Sequence, residues 1–473
     1  MKLSKVLSIL GIEVQPKYDR DIATVSADSR RVTEGGAFVC IRGARYDGHD
    51  FIDDAYRRGA RSFFCEREIS GYSDCNVIIV ENTRKILAEM AFLLAGNPER
   101  ELKIIAVTGT KGKSTTLFSI FHILHSLGIK AAALGTLGTL GIPRIGYDNT
   151  TPDPTVIAAA MAAARSRGAE YFILEVSSQG IKEERIHSLG ITAAIFTNIS
   201  HDHIGGIEHK SFVEYREQKR RLFRDFGARL AVVNSDDPTA SYMADGVARR
   251  IRVGSRGADI PLTDIVTHPS GISFKLGGNF CNVNTFGEYN AYNFSLAAVT
   301  LCELLDIPLS KILPTLENIK IPGRFELISH LGRSFVIDYA HNAASAMAVL
   351  GECRKMTSGR VITVFGSVGG RSHKRRAELA RAVGALSDFS VVTSDNPDFE
   401  QPENICAGIM ENMPKGALAV SIVDRAAAIR YAFELSRPGD LIALLGKGHE
   451  SFQLLRGEKI PYSERGVILS LRE

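Results

Sequence analysis

The sequence predicts an α/β protein built on parallel sheets, and three observations carry that expectation. The chain has 473 residues, enough for about three domains at roughly 150 residues each. Short, continuously apolar runs alternate with longer helical patterns, as in βα units whose strands are buried on both faces. That alternation occurs in two separate blocks, divided by breaker clusters of Gly, Pro and Asn.

The first block spans residues 1–98. Its first residues, Met1 to Asp19, begin basic, turn apolar and are soon interrupted by Glu13 and Lys17. No small-residue cleavage site follows, so the segment reads as a short amphipathic helix rather than a signal peptide. Gly36-Ala-Phe-Val-Cys-Ile41 and Asn76-Val-Ile-Ile-Val80 read as strands with a helix-like stretch between them, and Gly96-Asn-Pro98 closes the block. The second block, residues 99–330, opens with the apolar run Lys103-Ile-Ile-Ala-Val-Thr108. A helical pattern from Leu117 to Leu127 follows, then strands at 171–175, 193–197 and 230–234 and an Ala-rich helix from Pro154 to Arg167. The third block, residues 331–473, follows Ile321-Pro-Gly323. It repeats the alternation with strands at 334–338, 360–365, 389–393 and 440–445.

Composition narrows the class. Apolar residues make up 45% and charged residues 23%, as in ordinary globular proteins. A net charge of +4 over this length gives no independent case for a nucleic-acid partner. No run of about 18 apolar residues occurs, so no membrane span is expected. Seven scattered cysteines, none in a Cys-x-x-Cys pair, read as reduced thiols and favour a cytoplasmic setting.

Residues 107–116 read Val-Thr-Gly-Thr-Lys-Gly-Lys-Ser-Thr-Thr, placed between a predicted strand and a predicted helix. Glycines let backbone N–H groups approach phosphate oxygens, and the helix N-terminus adds the positive end of its dipole. Gly109, Thr110, Lys111, Gly112, Lys113, Ser114 and Thr115 are therefore candidate ATP-binding residues. Lys113 is suited to the β/γ-phosphates and Ser114 to Mg²⁺. The strict P-loop spacing would place a further glycine at Val107, so the motif is a variant. Such a loop establishes a bound nucleotide phosphate and leaves kinase, GTPase, motor and ligase open.

Further motifs follow in order: Asp28-Ser-Arg30, Asp47-Gly-His-Asp-Phe-Ile52, Asn149-Thr-Thr-Pro-Asp-Pro154, Glu175-Val-Ser-Ser178 and Phe196-Thr-Asn-Ile-Ser-His-Asp-His203. After them come Gly287-Glu-Tyr-Asn-Ala-Tyr-Asn293, Pro322-Gly-Arg-Phe-Glu326, Asp338-Tyr-Ala-His-Asn342, Asp395-Asn-Pro397 and Gly446-Lys-Gly-His-Glu450. Together they resemble the Mur ligase family over nearly the whole chain, and most of all its branch that adds the third residue of the cell-wall peptide. The resemblance implies an N-terminal UDP-substrate domain (1–98), a central P-loop parallel-sheet ATPase domain (99–330) and a C-terminal, Rossmann-like amino-acid-binding domain (331–473). It implies a monomeric enzyme with ATP as co-substrate and Mg²⁺ as cofactor. The partners implied are a UDP-muramoyl-dipeptide and a free amino acid.

The resemblance also implies roles for individual residues. Lys113, Glu175, His203 and Lys219 would be catalytic, with Ser114, Glu175 and His203 at the metal. A hard cation prefers oxygen ligands, which makes His203 the less typical member. Lys219 matches a lysine that becomes N6-carboxylysine, an anion able to sit near Mg²⁺; its neighbours Arg216, Arg220 and Arg221 fit an ordinary basic helix face equally well. Asn293, Arg324, Asp338 and His341 would contact the nucleotide. Ser29, Arg30, Asn149, Thr150, Thr151, Ser178 and Arg185 would contact the UDP-substrate. Arg371, Asp395, Asn396, Asp398, Gly446 and Glu450 would form the amino-acid site.

Three departures bear on substrate. Relatives that use meso-diaminopimelate usually carry Asp-Asn-Pro-Arg, whose arginine grips the distal carboxylate; this chain has Asp398. An aspartate repels a carboxylate and attracts an ammonium, so L-lysine or ornithine is the expected acceptor. Gln179 replaces the family's histidine after the Ser-Ser pair, and the segment Asp202-His-Ile-Gly-Gly-Ile207 replaces Asp-His-Leu-Asp-Tyr-His. Two alternatives stay open on the sequence: an amide ligase acting on another carboxylate, in the manner of folylpolyglutamate or cyanophycin synthetases, and a nucleotide-binding paralogue without catalysis.

Overall fold

A computed structural model describes residues 1–43, 46–201, 208–268, 270–370 and 372–472. His203 and Arg371 lie outside these residues, as does the whole Asp202–Ile207 departure. The chain forms two compact units. The first comprises Met1–Thr263, Leu276–Gly278 and Tyr292–Ile312; the second comprises Asp264–Lys275, Asn279–Ala291 and Leu313–Glu473.

The first unit starts with the helix Leu3–Ile9 and a four-stranded parallel sheet in sequence order: β1 (Val25–Ser26), β2 (Ala37–Val39), β3 (Ser62–Cys65) and β4 (Asn76–Ile79). Helix Thr83–Leu94 buries Ile86, Leu87, Met90 and Leu93 against this sheet.

The larger sheet supplies the framework of the candidate site. Its strands are β5 (Lys103–Thr108), β6 (Ala131–Gly135), β7 (Gly138–Leu140), β8 (Tyr171–Glu175), β9 (Ile191–Phe196), β10 (Leu230–Asn234) and β11 (Arg249–Gly254). They lie in the order β11-β10-β9-β5-β8-β6-β7, and β12 (Ile260–His268), β13 (Gly271–Leu276) and β14 (Asn279–Val283) continue the sheet beyond β11. β5 runs parallel to both neighbours, β8 and β9. Five of its six residues are buried, as the uninterrupted apolar run predicts. The carboxyl ends of β5, β8 and β9 therefore meet at one edge, where the chain crosses from one side of β5 to the other. Open α/β sheets bind their ligands at such an edge.

The second unit repeats the principle. β15 (Glu326–His330), β16 (Arg333–Asp338), β17 (Val361–Phe365), β18 (Phe389–Val392), β19 (Ala419–Ser421) and β20 (Leu441–Leu445) form a sheet in the order β15-β16-β20-β17-β18-β19. Only β15 is antiparallel. A two-stranded ribbon, β21 (Phe452–Leu455) with β22 (Glu458–Pro461), follows. Two apolar layers, one on each face, enclose the six-stranded sheet.

Candidate active site

The loop between β5 and the helix Lys113–Ser126 is shaped by two glycines. Gly109 has φ +151° and Gly112 has φ +85°. A Cβ at Gly109 would collide with the Thr197 hydroxyl, and one at Gly112 with the Asn293 amide. No other residue fits either place without moving a neighbour. The loop is braced from β9: the Thr110 N–H donates to the Asn198 carbonyl (2.8 Å), and the Lys111 N–H donates to the Asn198 side chain (3.0 Å). The Thr197 hydroxyl donates to the Lys111 carbonyl (2.6 Å). Lys113 folds back onto the carbonyls of Gly109 (3.0 Å) and Thr110 (3.1 Å). Ser114 and Thr115 are buried in the first helical turn, whose N-terminus faces the loop. Asn293 accepts from the Thr116 hydroxyl at 3.5 Å, which puts it against the same turn.

Lys219 lies on the helix Phe212–Arg224 and is 1% exposed. Its ammonium donates to the Gly109 carbonyl at 2.8 Å and lies 4.6 Å from the centre of the buried Tyr215 ring. The Tyr215 hydroxyl pairs with Thr110 at 3.0 Å. Of the basic run, Arg220 and Arg221 turn to partners elsewhere, Asp245 and Glu184 respectively. Lys219, unlike these two, points into the phosphate loop.

Glu175, fully buried at the end of β8, accepts from the Thr136 backbone N–H and hydroxyl, both at 3.0 Å. Thr136 in turn meets Thr150 at 3.1 Å. Thr151 donates to the Glu175 carbonyl (3.0 Å), and its own carbonyl accepts from Arg185 (2.8 Å). Burial lowers the Arg185 pKa. Ser178 pairs with the buried His209 at 2.8 Å; burial first, and Lys182 second, push this imidazole below its usual value. Thus Thr150, through Thr136, and Thr151 gather at Glu175 with Arg185 on the Thr151 carbonyl, Ser178 turns to His209, and Asn149 is exposed. Gln179 reaches Glu183 at 2.8 Å. Ser29 is buried, and Arg30 is exposed and paired with Asp28 at 2.9 Å.

In the second unit, the Asp338 carboxylate accepts from the backbone of Phe325 and Ala340, both at 2.8 Å, and so fixes the end of β16. Arg324 stacks 4.5 Å from the Tyr339 ring, which also contacts His341 and His449. The neighbouring strand ends carry the residues expected at the amino-acid site. Lys447 is fully buried and donates to Glu450 (2.6 Å) and Asn396 (2.7 Å), with Asp395 at 3.8 Å. Burial raises the Asp395 pKa against the pull of Arg425 and Lys447. Gly446, φ +110°, passes so close to Asp395 that a Cβ would sit 2.6 Å from its carboxylate. Asp398 has φ +54°, and its carboxylate accepts from the Gly457 N–H at 2.8 Å. Sequence reasoning quoted Lys447 only as part of a motif. Asn198 likewise stood only inside a quoted motif, and Thr136, His209 and Tyr215 were passed over, because a single residue that shapes a loop carries no spacing signal.

The chain matches three family models: the Mur ligase family catalytic domain over residues 21–92, the Mur ligase middle domain over 107–301 and the Mur ligase glutamate ligase domain over 323–448. It is 34% identical, over the whole of both chains, to a UDP-N-acetylmuramoyl-L-alanyl-D-glutamate–2,6-diaminopimelate ligase of Clostridium perfringens. This chain belongs to the Mur ligase family. The Mur ligase of Aquifex aeolicus with the same name is 33% identical, with 94% of this chain and 92% of that one covered. A solved structure of a ligase so named superimposes with a TM-score of 0.68 at 27% identity over 98% of both chains. Folylpolyglutamate synthase of Mycobacterium tuberculosis, solved with ADP, shares the fold at 18% identity and a TM-score of 0.61, covering 77% of this chain and 91% of that one. As a Mur ligase this protein is an ATP-dependent, ADP-forming acid–amine ligase with the three-domain α/β fold of that family. The non-catalytic alternative is thereby set aside.

Proposed function

We propose that this ligase adds a free diamino acid, L-lysine in preference to meso-diaminopimelate, to UDP-N-acetylmuramoyl-L-Ala-D-Glu in the synthesis of peptidoglycan precursors. Support for the reaction comes from full-length relatives named for that nucleotide-sugar peptide. Support for the acceptor rests on one observation: Asp398 stands where a carboxylate-gripping arginine would be expected. The N-terminal family match argues against a folylpolyglutamate-like acid, since that domain would serve the UDP moiety.

In this reading residues 1–98, 99–330 and 331–473 are three functional domains. The loop 109–115 cradles the triphosphate. Ser114 and Glu175 offer oxygen donors at adjacent strand and helix ends, a donor set suited to Mg²⁺, and His203 completes it. Mg²⁺ there would neutralise charge between the γ-phosphate and the substrate acid. Lys219, as its carbamate, adds an anion beside the loop: its neutral amine forms an N–C bond to CO₂ and releases one proton. The glutamyl carboxylate attacks the γ-phosphorus and expels ADP. The acceptor amine then attacks the acyl phosphate, expelling phosphate and losing a proton.

Ser29, Arg30, Asn149, Thr150, Thr151, Ser178 and Arg185 hold the UDP-peptide; Asn293, Arg324, Asp338 and His341 hold the nucleotide. Arg371, Asp395, Asn396, Gly446 and Glu450 receive the amino acid, and Asp398 meets its distal ammonium. The enzyme acts as a cytoplasmic monomer with no nucleic-acid partner. Among the described residues, no helix is long and apolar enough to cross a membrane. Amide formation measured with lysine, ornithine and meso-diaminopimelate tests the acceptor: a basic amino acid should give the higher kcat/KM, and a clear preference for meso-diaminopimelate would refute it.

A further inference from the structure

The N-terminal sheet holds an arrangement to which the proposed reaction gives no part. Cys40 follows β2 and Cys65 ends β3; the parallel register that pairs Val39 with Phe64 places the two cysteines opposite each other. Their sulfurs are 3.5 Å apart. His49, on the turn Gly48–Phe51, brings a ring nitrogen to the same place, and the three potential ligand atoms lie within 4.8 Å of one another. Both cysteines are fully buried, and the His49 side chain is 2% exposed. Among the described residues this is the single cluster of its kind.

We infer that Cys40, His49 and Cys65 form a binding site for a thiophilic divalent cation of the Zn²⁺ class. Two thiolates and a neutral imidazole cancel a charge of +2, which suits a buried site where any net charge is costly. Bonds of ~2.3 Å at the tetrahedral angle would set the sulfurs about 3.8 Å apart, close to the separation already present. The imidazole is oriented by a carboxylate, as metal-bound histidines usually are. Nδ1 of His49 is 2.6 Å from Asp47, which is itself flanked by Arg67 (3.5 Å) and Arg42 (3.8 Å). Nε2 then accepts a long hydrogen bond from the Glu66 N–H (3.4 Å), which a bound cation would replace. The fourth position is left to water. On binding, the cation displaces the thiol protons.

A cation here would cross-link the turn Gly48–Phe51 to the ends of two strands. The helix that follows, Ile52–Arg57, carries Asp54, whose carboxyl is held below its usual value by a hydrogen bond from Ser29.

The test uses the full-length protein, purified reduced and without chelator. Elemental analysis should find one equivalent of zinc per chain, retained in excess Mg²⁺. Cobalt substitution should give thiolate-to-metal charge-transfer absorption, a signature that an oxygen-ligated Mg²⁺ site cannot produce. Zinc should raise the melting temperature. Cys40→Ala and Cys65→Ala should each abolish the cobalt absorption, Asp47→Asn should weaken binding about 10–100-fold, and Cys75→Ala, at a buried cysteine outside the cluster, should change nothing. Wild-type protein that binds neither zinc nor cobalt through sulfur would overturn the assignment without recourse to any variant. So would zinc that survives loss of both thiols, or a Cys40–Cys65 disulfide in place of a metal site.

Discussion

Single residues decide what this ligase can hold. Gly112 packs against Asn293 at a positive φ, so Gly112→Ala must strain the loop or displace the amide. Strain of about 1–3 kcal/mol corresponds to ADP binding roughly 5- to 150-fold weaker, which calorimetry would read directly; unchanged affinity would mean that the loop has another way to accommodate a side chain. Lys219 is buried against the Gly109 carbonyl, and the proposed carbamate makes its activity depend on dissolved CO₂. Turnover should fall in CO₂-stripped buffer and return on adding bicarbonate. Asp398 is pinned by the Gly457 N–H, and in the proposed function it meets the distal group of the acceptor. Asp398→Arg should shift preference from lysine toward meso-diaminopimelate by about 10- to 100-fold, since a charge-assisted hydrogen bond is worth about 1.5–3 kcal/mol. Asp398→Arg with an unaltered kcat/KM ratio would remove this position from the specificity argument.

At the scale of elements, strand ends and helix starts place the chemistry. Arg425, at the start of the helix Arg425–Leu435, is fully buried with Glu464 of the helix Glu464–Ser470. It also donates to the carbonyls of Ser394 (3.3 Å) and Leu445 (2.8 Å), the residues just before Asp395 and Gly446. Removing one partner of such a buried pair typically costs about 3–5 kcal/mol. Arg425→Met should therefore lower the denaturation midpoint and loosen the amino-acid site; loss of stability without a rise in the amino-acid KM would separate the two effects. The strands of both sheets were legible because continuous apolar runs bounded by turns have few other uses, and β5, β8, β16, β17 and β20 fall within a residue or two of the runs that predict them. Strands β12–β14 and the helix Glu288–Leu305 were not singled out; turn residues at 269–271 and 277–279 separate the strands, but polar residues break them up and deny them the continuous apolar run of the others. The helix Phe212–Arg224 was visible only as a basic run, and burial of Lys219 is a tertiary fact that no spacing reveals. Lys447 escaped for the same reason: a lysine quoted from a glycine-rich motif gives no hint of a fully buried ammonium. Cys40, His49 and Cys65 lack metal-motif spacing, and only parallel register brings them together.

For the molecule as a whole, acid stability reflects paired carboxylates. Glu400, hydrogen-bonded by Arg376 and by the Gly370 N–H, has its pKa lowered to about 2. A depressed carboxylate stabilises the fold above its unfolded value of about 4.5, and that contribution is lost as pH falls toward 2. The slope of stability against pH between those values should flatten in Glu400→Gln; a slope identical to wild type would assign acid unfolding to other groups. The proposed function assigns activation of the acid to the phosphate loop with Glu175 and Lys219, and presentation of the amine to the Asp395–Lys447–Glu450 network. ADP release measured with UDP-N-acetylmuramoyl-L-Ala-D-Glu and lysine, each supplied alone and then together, tests it most directly. The account predicts one ADP per amide bond and sustained turnover only with both substrates present; sustained ATP hydrolysis indifferent to either one, with no amide formed, would contradict it.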